Sequence, residues 1–149
     1  MTRQERSRMM SRIRAKNTKP ERIVRSLLHR MGYRFRIHCA ALPGKPDIVL
    51  AKHRTVIFVH GCFWHRHEGC KYAYTPKSRL RFWSRKFSRN VERHIEVQQE
   101  LEGLGWRVFL VWECETVDLE SLMLRLQQQL AKSNSRKRPS RSFSSNTPR

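Results

Sequence analysis

The run "TVIFV" at residues 55–59 has no polar residue after its threonine. Side chains of a strand alternate between two faces, so a run that is apolar throughout must be covered on both faces. That places the segment in the interior of a sheet with other elements packed above and below it. "DIVLA" at 47–51 precedes it, separated only by the polar "KHR". Two short β-branched runs joined by a few polar residues read as a hairpin. "WRVFLVW" at 106–112 reads as another buried strand, ending just before Cys114. "YRFRIH" at 33–38 alternates Tyr33, Phe35 and Ile37 with polar residues, which predicts a strand with one wet face.

Helical patterns surround these strands. Thr18 and Glu21 have capping-box spacing, and Pro20 suits a first turn. Ile23, Val24, Leu27, Leu28 and Met31 then form an apolar stripe that stops at Gly32. A long charged helix is predicted from about Arg79 to Glu102. In it Trp83, Phe87, Val91 and Ile95 recur every four residues, a spacing that favours core packing for Trp83, and Leu101 and Leu104 lie near the end. Leu119, Leu122, Met123, Leu126 and Leu130 mark a last helix. The order helix, three strands, helix, strand, helix predicts a small three-layer α/β domain, a mixed sheet with helices on both faces.

The expected organisation is a basic arm over 1–17, with a short helix around Met9 to Ile13, a domain over 18–131 and a Ser/Arg-rich tail over 132–149. The tail is too poor in apolar residues to fold alone and is expected to be disordered. Lys and Arg number 32 against 12 acidic residues, for a formal charge of +20. Such an excess attracts polyanions. No apolar run approaches the roughly 20 residues that span a bilayer, and the basic N-terminus lacks the apolar segment of a secretory signal. The expectation is a cytoplasmic, nucleic-acid-facing protein without a membrane partner.

"HGCFWHRHEGC" at 60–70 begins where the buried strand ends. Cys62, His67 and Cys70 lie within it, and Cys114 follows a strand able to run alongside. Thiolates and imidazole are the ligands zinc prefers, and four of them close a tetrahedral structural site. On spacing alone His65 is an alternative ligand to His67, and the bland alternative is buried thiols beside a coincidental histidine. Cys39 has no partner within its segment. If His67 serves zinc, His60 and His65 remain beside Asp47, which opens the strand paired with the one leading to His60. A carboxylate there is either a turn or cap residue or the hard oxygen ligand a magnesium ion needs at a phosphodiester. A neutral histidine can take a proton from water, and a protonated one can give a proton to a leaving oxygen. Phe63 and Trp64, adjacent in a loop, suit a wedge between base pairs, with Trp83 as a third member if it is not core.

"LPGKPDIVL", "VIFVHGCFWHRH", "FWSRKFSRNVERH", "LGWRVFLVWECE" and the opening "SRMMSRIRAKNTKPE" resemble the very-short-patch repair (Vsr) DNA mismatch endonucleases. The likeness runs from about residue 7 to about residue 130. It implies a restriction-endonuclease-like fold and a magnesium-dependent nick on the 5′ side of the thymine in a T:G mismatch left by 5-methylcytosine deamination. By motif, Asp47 would hold Mg2+ with the backbone carbonyl of Val59. His65 would assist the water, His60 would act near the scissile phosphate, and Glu21 would contact the metal's water shell. Cys62, His67, Cys70 and Cys114 would hold structural Zn2+. Phe63, Trp64 and Trp83 would intercalate, with Lys86 and Asn90 as DNA contacts. A monomer meeting mismatch-repair proteins at the nucleoid is the implied setting.

Two departures from the family pattern stand out. The segment like "NVERH" commonly ends in an aspartate that orients the catalytic histidine; here it ends in His94, which has no fixed negative charge but can accept a hydrogen bond from His65. "EGC" before Cys70 is one residue longer than the family pattern. The competing functional reading is a catalytically weak, zinc-stabilised protein that binds mismatched or distorted DNA; a third is a relative with a different DNA target.

Overall fold

The computed structural model describes residues 2–5 and 17–135. The predicted short helix around Met9 to Ile13 and the tail beyond 135 lie outside the described residues. Helix α1 spans Lys19–Arg30, strand β1 Arg36–Ile37, β2 Ile48–Leu50, β3 Thr55–His60, α2 Leu80–Gly103, β4 Arg107–Trp112 and α3 Leu119–Ser135; short 3-10 turns cover Ala51–His53 and Glu113–Val117. Helix α3 thus continues past the boundary expected at 131.

The sheet has the order β1-β2-β3-β4. Strands β1–β2 and β2–β3 are antiparallel, and β3–β4 are parallel, pairing Thr55 with Arg107 through His60 with Trp112. The hairpin read from "DIVLA" and "TVIFV" is present, turned by Arg54 in the left-handed region (φ 51°). Strand β3 is central and buried on both faces, as its apolar run requires.

Successive β3 residues serve opposite layers. Ile57 joins Ile48, Leu50, Phe109 and Val111 in a core closed by Val24, Leu27 and Leu28 of α1 and Leu122, Leu126 and Leu130 of α3. Val56 and Phe58 join Val49 in a second core closed by Leu101, Val97 and Leu110. Helices α1 and α3 therefore cover one face and α2 the other. The molecule is a mixed four-stranded sheet flanked by helices.

Three expectations change. "YRFRIH" yields only the two-residue β1, because Tyr33 and Phe35 pack on the α1/α3 core outside the ladder. Among the described residues β4 is an edge strand with only Phe109 and Val111 fully buried; its partner-free side faces α3, where Arg125 donates to the Leu110 carbonyl at 3.1 Å. In α2, Val91 and Ile95 are exposed. A four-residue step overshoots the 3.6-residue turn by 40°, so the stripe begun at Trp83 rotates into solvent. The inward stripe runs instead through Trp83, Phe87, Asn90, His94, Val97 and Leu101, and its middle is polar because it faces the site.

Candidate active site and metal centre

Parallel pairing of β3 and β4 puts their C-terminal ends side by side, with His60 opposite Trp112. Cys62 and Cys114 each follow two residues later, so the same register brings two thiols from distant sequence together. His67 Nδ1 lies 3.6 Å from Cys62 Sγ and 3.3 Å from Cys114 Sγ. With Cys70, the four ligand atoms fall within 4.8 Å of one another. The histidine in this cluster is His67 rather than His65, whose ring stacks on His60. Gly69 of "EGC" takes φ +68° with open space around it, a turn an L side chain would strain. The His67 ring stacks on Trp112 at 4.1 Å and 11°. Burial pushes the Cys62 thiol up to about 12 and raises Cys114 as well. Cys70 is shifted the other way, downward, so the cluster mixes two thiols that resist ionising with one that yields its proton more readily. A Cys3His donor set suits zinc.

A second group forms where β2 begins, at the same end of the sheet as the C-termini of β3 and β4. Asp47 Oδ2 accepts the Val59 N–H at 2.7 Å, which ties the start of β2 to β3. Burial still lifts its carboxyl to about 6, and the nearby Glu21 carboxylate adds to the rise against the Val59 hydrogen bond. Glu21 is 2% exposed, and its ligand atom falls with those of Asp47 and His38 inside 4.8 Å. Two carboxylates facing one another in a half-buried site are what a divalent cation neutralises. Glu21 also completes α1 differently from a simple capping box. Thr18 Oγ1 accepts the Glu21 N–H at 3.4 Å, while Glu21 Oε2 accepts from Asn17 N–H at 3.0 Å and from Arg25 at 2.9 Å.

Between these groups lie the remaining histidines. His60 stacks on His65 at 3.6 Å and 10°, and His94 of α2 meets His60 edge-on at 4.4 Å. Burial, reinforced by His65 and His94, holds His60 down to about 2; burial and His94 hold His65 at about 4; burial lowers His94 also. All three are neutral imidazoles at physiological pH. The expected His65–His94 hydrogen bond is not made: His65 Nδ1 and His94 Nε2 are both buried without a partner, as is His60 Nδ1. The His94 imidazole packs edge-on against the ring pair.

Asp47, Glu21, His60, His65 and His94 line one cavity of about 640 Å³, together with Val59, Trp64, Lys86, Asn90 and the basic Lys45 and Arg93. Gly44 closes its rim at φ +71°, so near α2 that a Cβ would sit 2.4 Å from Val97 Cγ1. Beside the cavity, Phe63 contacts Trp64 (5.1 Å), Trp83 (5.5 Å) and Phe87 (5.2 Å). Phe63, Trp64 and Trp83 are each half-buried, so they form a standing aromatic cluster with one open side. Lys86 Nζ sits 5.1 Å over the Trp64 ring, while Asn90 donates to the Trp64 carbonyl at 3.2 Å and so holds the loop.

The sequence reading missed His38, Arg25 and Arg66. Residues bounding a hairpin loop face each other, and the turn-rich "ALPGKP" offered that signal for His38 opposite Asp47. Arg66 donates to the Phe63, Ala73 and Tyr74 carbonyls. Nothing in its local sequence marks that role.

No helix among the described residues is long and apolar enough to cross a membrane. A family model described as DNA mismatch endonuclease Vsr matches residues 1–72. The type II nicking enzyme V.XorIIP of Xanthomonas oryzae pv. oryzae is 53% identical over 119 residues, 80% of this chain and 87% of that enzyme. The type II nicking enzyme V.NmeAIP of Neisseria meningitidis serogroup A is 47% identical over 114 residues, 76% and 81%. The DNA mismatch endonuclease Vsr of Escherichia coli K12 is 43% identical over 128 residues, 83% and 81%.

Proposed function

Because the chain belongs to the Vsr family of DNA mismatch endonucleases, we propose that it nicks one strand of duplex DNA 5′ to the thymine of a T:G mismatch, with magnesium as cofactor and zinc as a structural ion. The reading extends to the fold: a mixed sheet with its key carboxylate where β2 begins is taken as restriction-endonuclease-like. One observation carries the proposal. A single cavity collects the Asp47 and Glu21 carboxylates, neutral histidines, the cationic Lys45, Lys86 and Arg93, and Trp64 of the adjoining aromatic cluster.

Asp47 and the Val59 carbonyl would hold the magnesium ion, with Glu21 reaching its water shell. When bound, Mg2+ supplies positive charge that stabilises a developing phosphorane and lowers the pKa of water. His65, neutral because it is buried, accepts a proton from the attacking water. His60, at the end of β3 and stacked on His65, lies beside the phosphate and fixes the ring pair in place. Lys45 and Arg93 draw the phosphate backbone into the cavity. Phe63, Trp64 and Trp83 offer ring faces to an unstacked base step; a mismatch is easier to open than a matched pair, which gives the preference. The net charge of +20 adds salt-sensitive, sequence-independent affinity.

The test is nicking of duplexes carrying each mismatch, with and without Mg2+. Asp47→Ala abolishes nicking and leaves T:G binding within a few-fold. A wild-type protein that binds T:G duplex but never nicks it establishes the binding-module reading instead, and equal nicking of matched DNA removes the mismatch assignment.

A further inference from the structure

His38 belongs to no motif, yet the fold carries it into the site. The β1–β2 register pairs Ile37 with Ile48, so the next residues outward, His38 and Asp47, face one another. The His38 N–H donates to the Asp47 carbonyl at 3.2 Å. Its backbone is held at φ 46°, in the left-handed region that histidine enters more readily than most residues but still at a cost. The side chain, 15% exposed, places Nε2 3.1 Å from Glu21 Oε2. The ligand atoms of Glu21, His38 and Asp47 therefore converge, inside 4.8 Å.

Arg25 gives an independent sign of what the convergence is for. Its Nη2 lies 2.9 Å from Glu21 Oε2 and 3.2 Å from His38 Nε2, while Nη1 is tethered to Asn17 Oδ1 at 2.9 Å. His38 Nε2 and a Glu21 carboxylate oxygen are already gathered around one positive group, and the tautomer with Nε2 unprotonated turns a lone pair toward it. With Nη1 anchored outside the cluster, that group can turn away when another cation arrives.

We propose that His38 is a nitrogen ligand of the divalent ion held by Asp47 and the Val59 carbonyl, beside Glu21 at its water shell, so that this chain has a mixed oxygen–nitrogen site favouring Mn2+ and later first-row ions over Mg2+. The inference rests on the metal assignment made under the proposed function. Mg2+ keeps its waters and takes oxygen donors, whereas an imidazole donor strengthens binding along the transition series. The competing role for His38 is a hydrogen-bond partner of Glu21 with no metal contact.

The experiment is Mn2+ titration of the full-length, zinc-loaded protein followed by electron paramagnetic resonance, with pulsed echo-modulation to detect a coordinated 14N nucleus. The expected result is one Mn2+ per chain beyond the zinc, with nitrogen modulation. His38→Gln and His38→Asn lose the modulation and bind Mn2+ at least about tenfold more weakly, while Mg2+ affinity, read by competition, changes less. Asparagine tolerates the left-handed backbone, so the second variant controls for a distorted turn, with circular dichroism as the check on folding. Absence of modulation in the wild type overturns the proposal. So does modulation that persists in both variants, since the nitrogen then comes from another histidine, or an unchanged Mn2+ affinity. A protein that binds Mn2+ through His38 yet nicks nothing overturns the proposed function alone; one that nicks with Mg2+ and shows no nitrogen coordination overturns this inference alone.

Discussion

Replacing His94 with aspartate puts a fixed negative charge where a neutral ring now meets His60 edge-on at 4.4 Å. At that separation two unit charges interact by about 4 kcal/mol for an effective dielectric constant near 20. Half-burial of His94 and the shorter aspartate side chain reduce this, so a rise of about two pH units, or about 3 kcal/mol, is expected for the adjacent imidazolium forms. Burial, the largest cause of depression in both rings, is untouched. His65 then moves from about 4 toward about 6, and His60 rises from about 2 but remains neutral near pH 7. The sign is fixed by the charge: stabilising the protonated ring makes His65 a stronger base while leaving it unprotonated above about pH 6. With half of the gain expressed in the transition state, nicking at pH 7.5 is about tenfold faster in H94D. The acid limb of activity moves upward, because His65 now protonates at a higher pH. The assay is single-turnover nicking of a T:G duplex from pH 5 to 9 at saturating Mg2+, which removes the Asp47 titration from the profile, paired with NMR titration of the ring carbons. Superimposable pH–rate profiles for the two proteins would refute the assignment of His94 to the catalytic histidines.

Asp47→Asn should stabilise the protein near neutral pH in the absence of added magnesium. An acid raised from 3.8 to about 6 on folding costs stability as pH climbs through that window, about 3 kcal/mol once it is fully ionised, so thermal melts at pH 7.5 rise while melts at pH 4 hardly move. Metal analysis should return one zinc per chain, and Cys114→Ser should lower zinc content and destabilise the fold by at least about 3 kcal/mol in urea titration, because the loop loses its tie to β4; a stable zinc-free variant contradicts the closed site. The double change Phe63→Ala, Trp64→Ala should cut the preference for mismatched over matched duplex at least about tenfold while matched-duplex affinity moves less than about threefold; equal losses reduce the pair to packing. Gly44→Ala, whose Cβ would meet Val97 at 2.4 Å, should cost about 1–3 kcal/mol in the same titration.

Local chemistry made several features legible without coordinates. A continuous apolar run has to be a two-sided strand, so β3 and the three-layer arrangement follow from "TVIFV". Thr18 with a carboxylate three residues on marks the start of α1, and two β-branched runs around "KHR" make the β2–β3 hairpin. Cysteine and histidine at short spacing point to the Cys62, His67, Cys70 and Cys114 cluster, and a carboxylate opening the strand paired with the one that leads to His60 points to the separate group around Asp47. Where the reading erred, the cause is specific. Counting by fours carried the α2 stripe onto Val91 and Ile95, whereas the true stripe passes through Asn90 and His94, polar residues that only a neighbouring cavity explains.

The sequence by itself determined which segments are strands and helices and which residue types are available for chemistry, because propensity, alternation and ligand preference act within a few residues. Tertiary structure alone decided which of them meet. Parallel register joins Cys62 to Cys114, antiparallel register sets His38 across from Asp47, and the turn of α2 sends His94 against His60 rather than into a hydrogen bond with His65. Those outcomes depend on the pairing offset between distant segments, a quantity fixed by burying both faces of one sheet at once and written in no short stretch of the chain.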